Sequence, residues 1–81
     1  MTNKEKYKKI FIETLSLKEE LVNDNLKYND VPEWDSIGHM TLISGIEEEF
    51  KISMETDDII DFSSYKKGIE ILESKHNLKF S

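Results

Sequence analysis

The stretch WDSIGHMTLISGIEEEF, Trp34 to Phe50, decides the fold. It reads as a helix over residues 36–50. Asp35 is a good N-cap residue, because its carboxylate can accept from backbone N–H groups that a helix leaves free at its start. Ile37, Met40, Ile43 (or Ser44), Ile46 and Phe50 recur at helical spacing and predict the apolar stripe, with Leu42 beside it. Gly45 costs about 1 kcal/mol against alanine in a helix interior, and a close helix crossing would explain it. Glu47, Glu48 and Glu49 end the helix as an acidic run.

Upstream, residues 16–35 read as a long connection. Asn23, Asp24, Asn25, Asn29, Asp30 and Pro32 favour turns. Ser16 and Glu19 have the spacing to cap one short turn through Leu21 and Val22. Leu21, Val22, Leu26, Tyr28 and Val31 are expected to pin the connection to the core. A loop of this length inside a small domain is uncommon and often functional. Before it, Tyr7, Ile10, Phe11, Thr14 and Leu15 mark one face of a helix over 4–15, with Thr2 and Glu5 at capping-box spacing. Lys4, Lys6, Lys8 and Lys9 read as its solvated face.

Downstream, Thr56 is expected to cap a short helical piece, with Asp57 and Asp58 in its first turn. Ile59, Ile60 and Phe62 are its buried candidates. Ser63 or Ser64 then caps a last helix to about His76, with Tyr65, Ile69 and Leu72 inward and Ile71 flanking. Asn77 to Ser81 reads as a fraying tail, from which Leu78 and Phe80 could fold back. The expected fold class is all-α, a small four-helix bundle. It has three main helices, one short one, and a long loop between the first and second.

The composition bounds the chemistry. At 81 residues the chain is read as a single domain, 1–81. A domain of this size buries only about 60 % of its unfolded surface; it has little room for a deep, dry cleft, which disfavours a self-contained enzyme. There are 17 acidic against 11 basic residues, a net charge of −6, which argues against a nucleic-acid partner. With no cysteine there is no disulfide, no cysteine zinc site and no thiol nucleophile of its own. No apolar run reaches the length needed to span a bilayer. The N-terminal MTNKEKYKKI lacks the apolar segment of a signal peptide. A soluble cytoplasmic protein, monomeric and without a membrane partner, is the expectation.

Asp35-Ser36-Ile37 is the feature most open to a functional reading. A serine at a loop-to-helix junction places its hydroxyl where free N–H groups and the helix dipole favour a phosphate; simple capping is the ordinary alternative. The whole of Trp34–Phe50 resembles the phosphopantetheine attachment region of acyl carrier proteins. In that family an Asp-Ser-Leu motif opens the second helix, which commonly ends in an acidic run and a Phe. Here Asp35-Ser36-Ile37 and Ile46-Glu47-Glu48-Glu49-Phe50 match. The first helix, the loop, the short Asp57-Asp58 helix and the Phe62-Ser63-Ser64-Tyr65 opening of the last follow in order, so the resemblance covers nearly the whole chain.

The resemblance implies that Ser36 accepts 4'-phosphopantetheine from coenzyme A through a dedicated phosphopantetheinyl transferase. Asp35 would both cap the helix and assist that transfer. Acyl or aminoacyl groups would ride on the arm's thiol as thioesters. They would be loaded by an acyl or aminoacyl ligase and passed to downstream transferases that present basic docking patches. The carrier itself would catalyse nothing and would hold its cargo at high effective concentration. The runner-up is a helical protein–protein interaction module with no prosthetic group.

Between Asp35 and Phe62 eight acids stand against one base, a net of −7, which would steer basic partners. The common fatty-acid carrier pattern has acids two and five residues after the serine. This chain has Gly38 and Thr41 there, and Glu33-Trp34 in place of the frequent Leu-Gly before the motif. These departures suggest a specialised carrier. Trp34 is read as either a loop anchor or, preferentially, an exposed recognition residue. His39 is read as a surface residue meeting partners, since no third group or oxyanion device accompanies it. Met40, Glu47 and Glu48 complete the expected partner face. Ile37, Met40, Ile43, Ile59 and Phe62 would line an opening if the bundle sheltered its cargo. Asp57, Asp58 and Asp61 lack the EF-hand pattern for calcium.

Overall fold

The computed structural model describes residues 2–80. Its elements are α1 (Asn3–Leu15), a single 3-10 turn (Glu19–Leu21), α2 (Ser36–Phe50), the short α3 (Thr56–Asp61) and α4 (Tyr65–His76). The described residues form no named strand, and the all-α bundle stands as expected. No helix among them is long and apolar enough to cross a membrane.

Local chemistry sets the helix starts. Thr2 Oγ1 accepts the Glu5 N–H at 3.1 Å and Glu5 Oε1 accepts the Thr2 N–H at 3.0 Å, a complete capping box on α1. Asp35 caps α2 and Ser64 caps α4, each accepting from the third helical N–H. Two expected caps are displaced. Glu55, not Thr56, is the N-cap of α3, and its side chain makes no capping bond. Ser16 does not open the 3-10 turn, whose N-cap is Lys18; it ends α1 instead, in the left-handed conformation at φ 53°.

The three long helices end alike. Ser16, Lys51 and Asn77 each take a left-handed φ of 53–57°. In each case the next residue sends its N–H back into the last turn: Leu17 to Ile12, Ile52 to Glu47 and Leu78 to Leu72, at 3.0–3.1 Å. Each of those apolar residues folds onto the core. None of the left-handed positions is glycine, so each helix end accepts a local conformational cost, of the order of 1 kcal/mol, that the tertiary contact offsets.

The core gathers Tyr7, Phe11 and Leu15 of α1, Leu42, Ile43 and Ile46 of α2, and Tyr65, Ile71 and Leu72 of α4 around Trp34 and Phe62. Gly45 lies at the α1–α2 crossing, where a Cβ would come within 3.2 Å of Ile10 and Thr14 methyl groups, as the sequence suggested. The long loop is pinned by Leu17, Val22 and Leu26, whereas Leu21 faces solvent. The Tyr28 N–H bonds Ser63 O at 3.0 Å and the Tyr65 N–H bonds Leu26 O at 2.9 Å, so the loop is stitched to the α3–α4 junction. The C-terminal tail folds back: Phe80 packs edge-on against Tyr7, and Asn3 Nδ2 donates to Lys79 O. Ser81, the end of that tail, lies outside the described residues.

α2 departs from the expected stripe. Its inward face is His39, Leu42, Ile43 and Ile46, spaced i, i+3, i+4 and i+7, while Ile37 is 80 % exposed and Met40 52 % exposed. The expected stripe mixed residues of two faces, because a histidine was not counted as inward. α4 turns similarly, burying Ile71 and leaving Ile69 partly covered.

Asp58 stands in the first turn of α3, as read, and is buried there. Its carboxylate accepts from Lys75 Nζ at 2.7 Å and lies 3.3 Å from His76 Nε2, fastening α3 to the C-terminal turn of α4. The Lys75 hydrogen bond, with smaller help from His76, holds the Asp58 carboxyl below the usual carboxylate range despite burial. A lowered folded pKa gives stability that is complete above the unfolded value of about 3.9 and is lost as pH falls through the folded value. Asp58→Asn is therefore expected to cost about 1–2 kcal/mol at neutral pH, a difference that shrinks below about pH 4. Urea titrations of both proteins across that range test it; a gap that stays constant with pH would contradict the ion-pair account.

Candidate functional site

The site is built where the loop becomes α2. Asn29 adopts a left-handed φ of 70°, its N–H bonds Trp34 O at 3.1 Å, and the Trp34 N–H bonds Val31 O at 3.1 Å. These bonds fold residues 29–34 into a tight turn that drives Trp34 inward. Its side chain is 0 % exposed, with edge-on contacts to Phe11 at 5.2 Å and Phe62 at 6.4 Å between ring centroids. The expectation of an exposed recognition tryptophan is thereby corrected: Trp34 is the loop anchor, because burying so large a ring outweighs leaving it in water.

A buried indole N–H needs an acceptor, and Trp34 Nε1 donates to His39 Nδ1 at 2.9 Å. An accepting Nδ1 carries no proton, so the imidazole is the neutral Nε2–H tautomer, and Nε2 donates to Ile59 O of α3 at 2.9 Å. The His39 ring meets the Trp34 indole edge to edge through that hydrogen bond, their planes 22° apart, and meets Tyr28 and Phe62 edge-on. His39 is thus not the free surface histidine expected from the sequence. Both nitrogens are engaged in tying the loop, α2 and α3 together.

With Trp34 fixed, Asp35 takes an extended conformation, its Oδ1 accepts the Gly38 N–H at 2.8 Å, and its carbonyl accepts the His39 N–H at 2.7 Å. Gly38 is required here, since a Cβ would overlap the Glu33 carbonyl oxygen, which passes tightly against the first turn. That glycine stands where the sequence comparison expected an acid. Ser36 is the first helical residue and is exposed. Its Oγ lies 3.2 Å from the Tyr28 hydroxyl in a hydrogen bond that either can donate. The N–H groups of Ser36 and Ile37 have no acceptor within the helix, so the start of α2 offers donors and the positive end of the helix dipole to an anion. An accessible hydroxyl, these donors and the Tyr28 phenol suit a phosphodiester at Ser36 Oγ.

Ser36 follows the exposed Asp35, and the helix faces beside it carry exposed apolar side chains. Ile37 and Met40 project from α2, and Ile60 of α3 is 71 % exposed. Beside Ser36 lies a shallow recess of about 210 Å³ lined by Tyr28, His39, Ile59, Ile60, Phe62 and Ser63. Further acids stand along α2. Glu48 is exposed, whereas Glu47 Oε2 accepts the Met54 N–H at 2.7 Å and so fastens the α2–α3 connection.

The sequence reading took Tyr28 only as a loop anchor and missed its hydroxyl at Ser36. A tyrosine among aliphatic anchors was the available signal, since a tyrosine hydroxyl usually finds a polar partner.

No family model matches the chain. Curated relatives do. It is 34 % identical over 77 residues to an acyl carrier protein of Buchnera aphidicola subsp. Schizaphis graminum (strain Sg), covering 94 % of this chain and 98 % of the relative. It is 32 % identical over 75 residues to the acyl carrier protein of Buchnera aphidicola subsp. Acyrthosiphon pisum (strain 5A), covering 93 % and 92 %. An acyl carrier protein of Petrotoga mobilis (strain DSM 10674 / SJ95) is 27 % identical over 74 residues, covering 91 % and 87 %. End-to-end similarity of this kind, on a helical bundle with a serine exposed at the start of its second helix, assigns the chain to the acyl carrier protein family of non-catalytic carriers.

Proposed function

We propose that Ser36 is the attachment point of a 4'-phosphopantetheine arm and that this carrier holds acyl or aminoacyl groups as thioesters on that arm. One observation carries the reading: the Ser36 hydroxyl is exposed on the first residue of α2, beyond an Asp35 cap that does not use it. In the transfer, Ser36 Oγ bonds to the phosphorus bearing the pantetheine of coenzyme A. The bridging P–O bond of the pyrophosphate breaks, adenosine 3',5'-bisphosphate leaves, and the serine proton passes to a base of the transferase. The arm supplies a thiol that a chain without cysteine lacks. The residues of the chain have fixed roles. Asp35 holds the first turn, Trp34 and His39 hold the loop behind it, and the Ser36 and Ile37 N–H groups would be the donors available to a phosphodiester.

The partner enzymes are a phosphopantetheinyl transferase, an acyl or aminoacyl ligase and downstream transferases. They would meet an apolar patch of Ile37, Met40 and Ile60 next to the arm, with basic residues placed to reach the exposed Glu48, Glu49, Glu55, Asp57 and Asp61. This pattern supports a specialised carrier, since the charge common near the serine is replaced by Gly38 and Thr41.

Two outcomes are expected. Ser36→Ala keeps the Asp35 cap and should change stability by less than about 0.5 kcal/mol, yet gain no mass when incubated with coenzyme A and a transferase. A variant that gains the same mass as wild type would reject Ser36 as the site. The Michaelis constant of the transferase for this carrier should rise with ionic strength, because exposed acids steer the encounter. A constant that does not respond to salt would remove the acids from partner recognition.

A further inference from the structure

One side chain that lines the recess beside Ser36, His39, also bonds across from α2 to α3. Ile59 O lies within the last turn of α3, which ends at Asp61, and the Ser63 N–H that could continue the helix bonds Asp61 O instead. His39 Nε2 supplies the missing donor to Ile59 O. The imidazole thus spans the gap between α2 and α3, with Trp34 hydrogen-bonded to its other nitrogen and Phe62 beside it. In the bundle core Phe11, Leu42, Ile46 and Leu72 are fully buried. A chain entering between α2 and α3 would displace the imidazole from both partners. It would strand the indole N–H of Trp34 and the carbonyl of Ile59 in apolar surroundings, where unpaired polar groups are costly.

We infer that His39 is a specificity-determining residue that limits the cargo to short acyl or aminoacyl groups, which lodge in the outer recess while the bundle interior stays closed. The inference rests on the carrier reading of Ser36. The recess is small, about 210 Å³, which suits a short chain and not a long one. Its place beside Ser36, shown by Tyr28 both lining it and bonding Ser36 Oγ, puts it next to a tethered cargo. Its walls of Ile59, Ile60 and Phe62 favour an apolar end group.

The test loads the carrier with butyryl and octanoyl groups, using their coenzyme A thioesters and a permissive phosphopantetheinyl transferase. Intact mass confirms loading, and backbone amide spectra are compared with the unacylated, arm-bearing form. In wild type both chains are expected to move Ile60 and Ser63 while leaving Phe11, Leu42, Ile46 and Leu72 unmoved. In His39→Ala the octanoyl chain is expected to move those four core amides as well. His39→Gln, which can keep a donor toward Ile59 O, serves if the alanine variant does not fold, and should lie between the two. Core amides that move in octanoyl-loaded wild type would overturn the role of His39 and leave the carrier reading standing. So would a foldable His39 variant that behaves as wild type. Failure to gain mass at Ser36 would instead overturn the carrier reading and this inference with it.

Discussion

The Trp34 indole N–H is buried, and its need for an acceptor organises the rest of the molecule. Water cannot reach it, so the acceptor must come from the protein. His39 Nδ1 meets that need, which fixes the imidazole tautomer, directs Nε2–H at Ile59 O, and joins the loop, α2 and α3 through one ring. With His39 turned inward, the helical period carries Leu42, Ile43 and Ile46 into the core and sends Ile37 and Met40 outward. Ser36 then stands exposed at the helix start. The outward hydroxyl follows from the inward indole.

Much of this organisation was legible where its causes are local. The Thr2–Glu5 capping box, the Asp35 cap and the serine at the mouth of α2 depend on residues within three positions of one another, and each formed as read. The order of the helices followed from periodicity, and the cost of a mid-helix Gly45 suggested a close crossing without saying which helix it meets. The parts that were not legible depend on distant partners. Asp58 is a first-turn acid as read, but its burial was not foreseen because Lys75 and His76 are 17 and 18 positions away. Trp34 lies in a loop, where no period says which way a ring points. The left-handed helix ends at Ser16, Lys51 and Asn77 carry no glycine to announce them; they are held by Leu17, Ile52 and Leu78 folding back. His39 misled the α2 stripe because a polar ring was counted as surface.

The chain divides its surface by function. An apolar patch of Ile37, Met40 and Ile60 adjoins the proposed attachment point, and further exposed acids lie on the end of α2 and on α3. Of the acids in this lobe, Asp35, Glu47 and Asp58 are engaged in holding helices and connections, so negative charge here serves the fold as well as partner recognition. The division gives an encounter that is steered at long range by charge and completed at short range by apolar contact.

The central claim is that a hydrogen-bonded chain from Trp34 through His39 to Ile59 holds Ser36 outward. Nitrogen NMR of the His39 imidazole, together with hydrogen exchange of the Trp34 indole, tests it most directly. The expected result is an Nδ1 that resonates as a bare, accepting nitrogen, an Nε2 that carries the proton, and an indole N–H protected from exchange. The reverse tautomer, or an indole proton that exchanges as fast as in an unfolded chain, would contradict it.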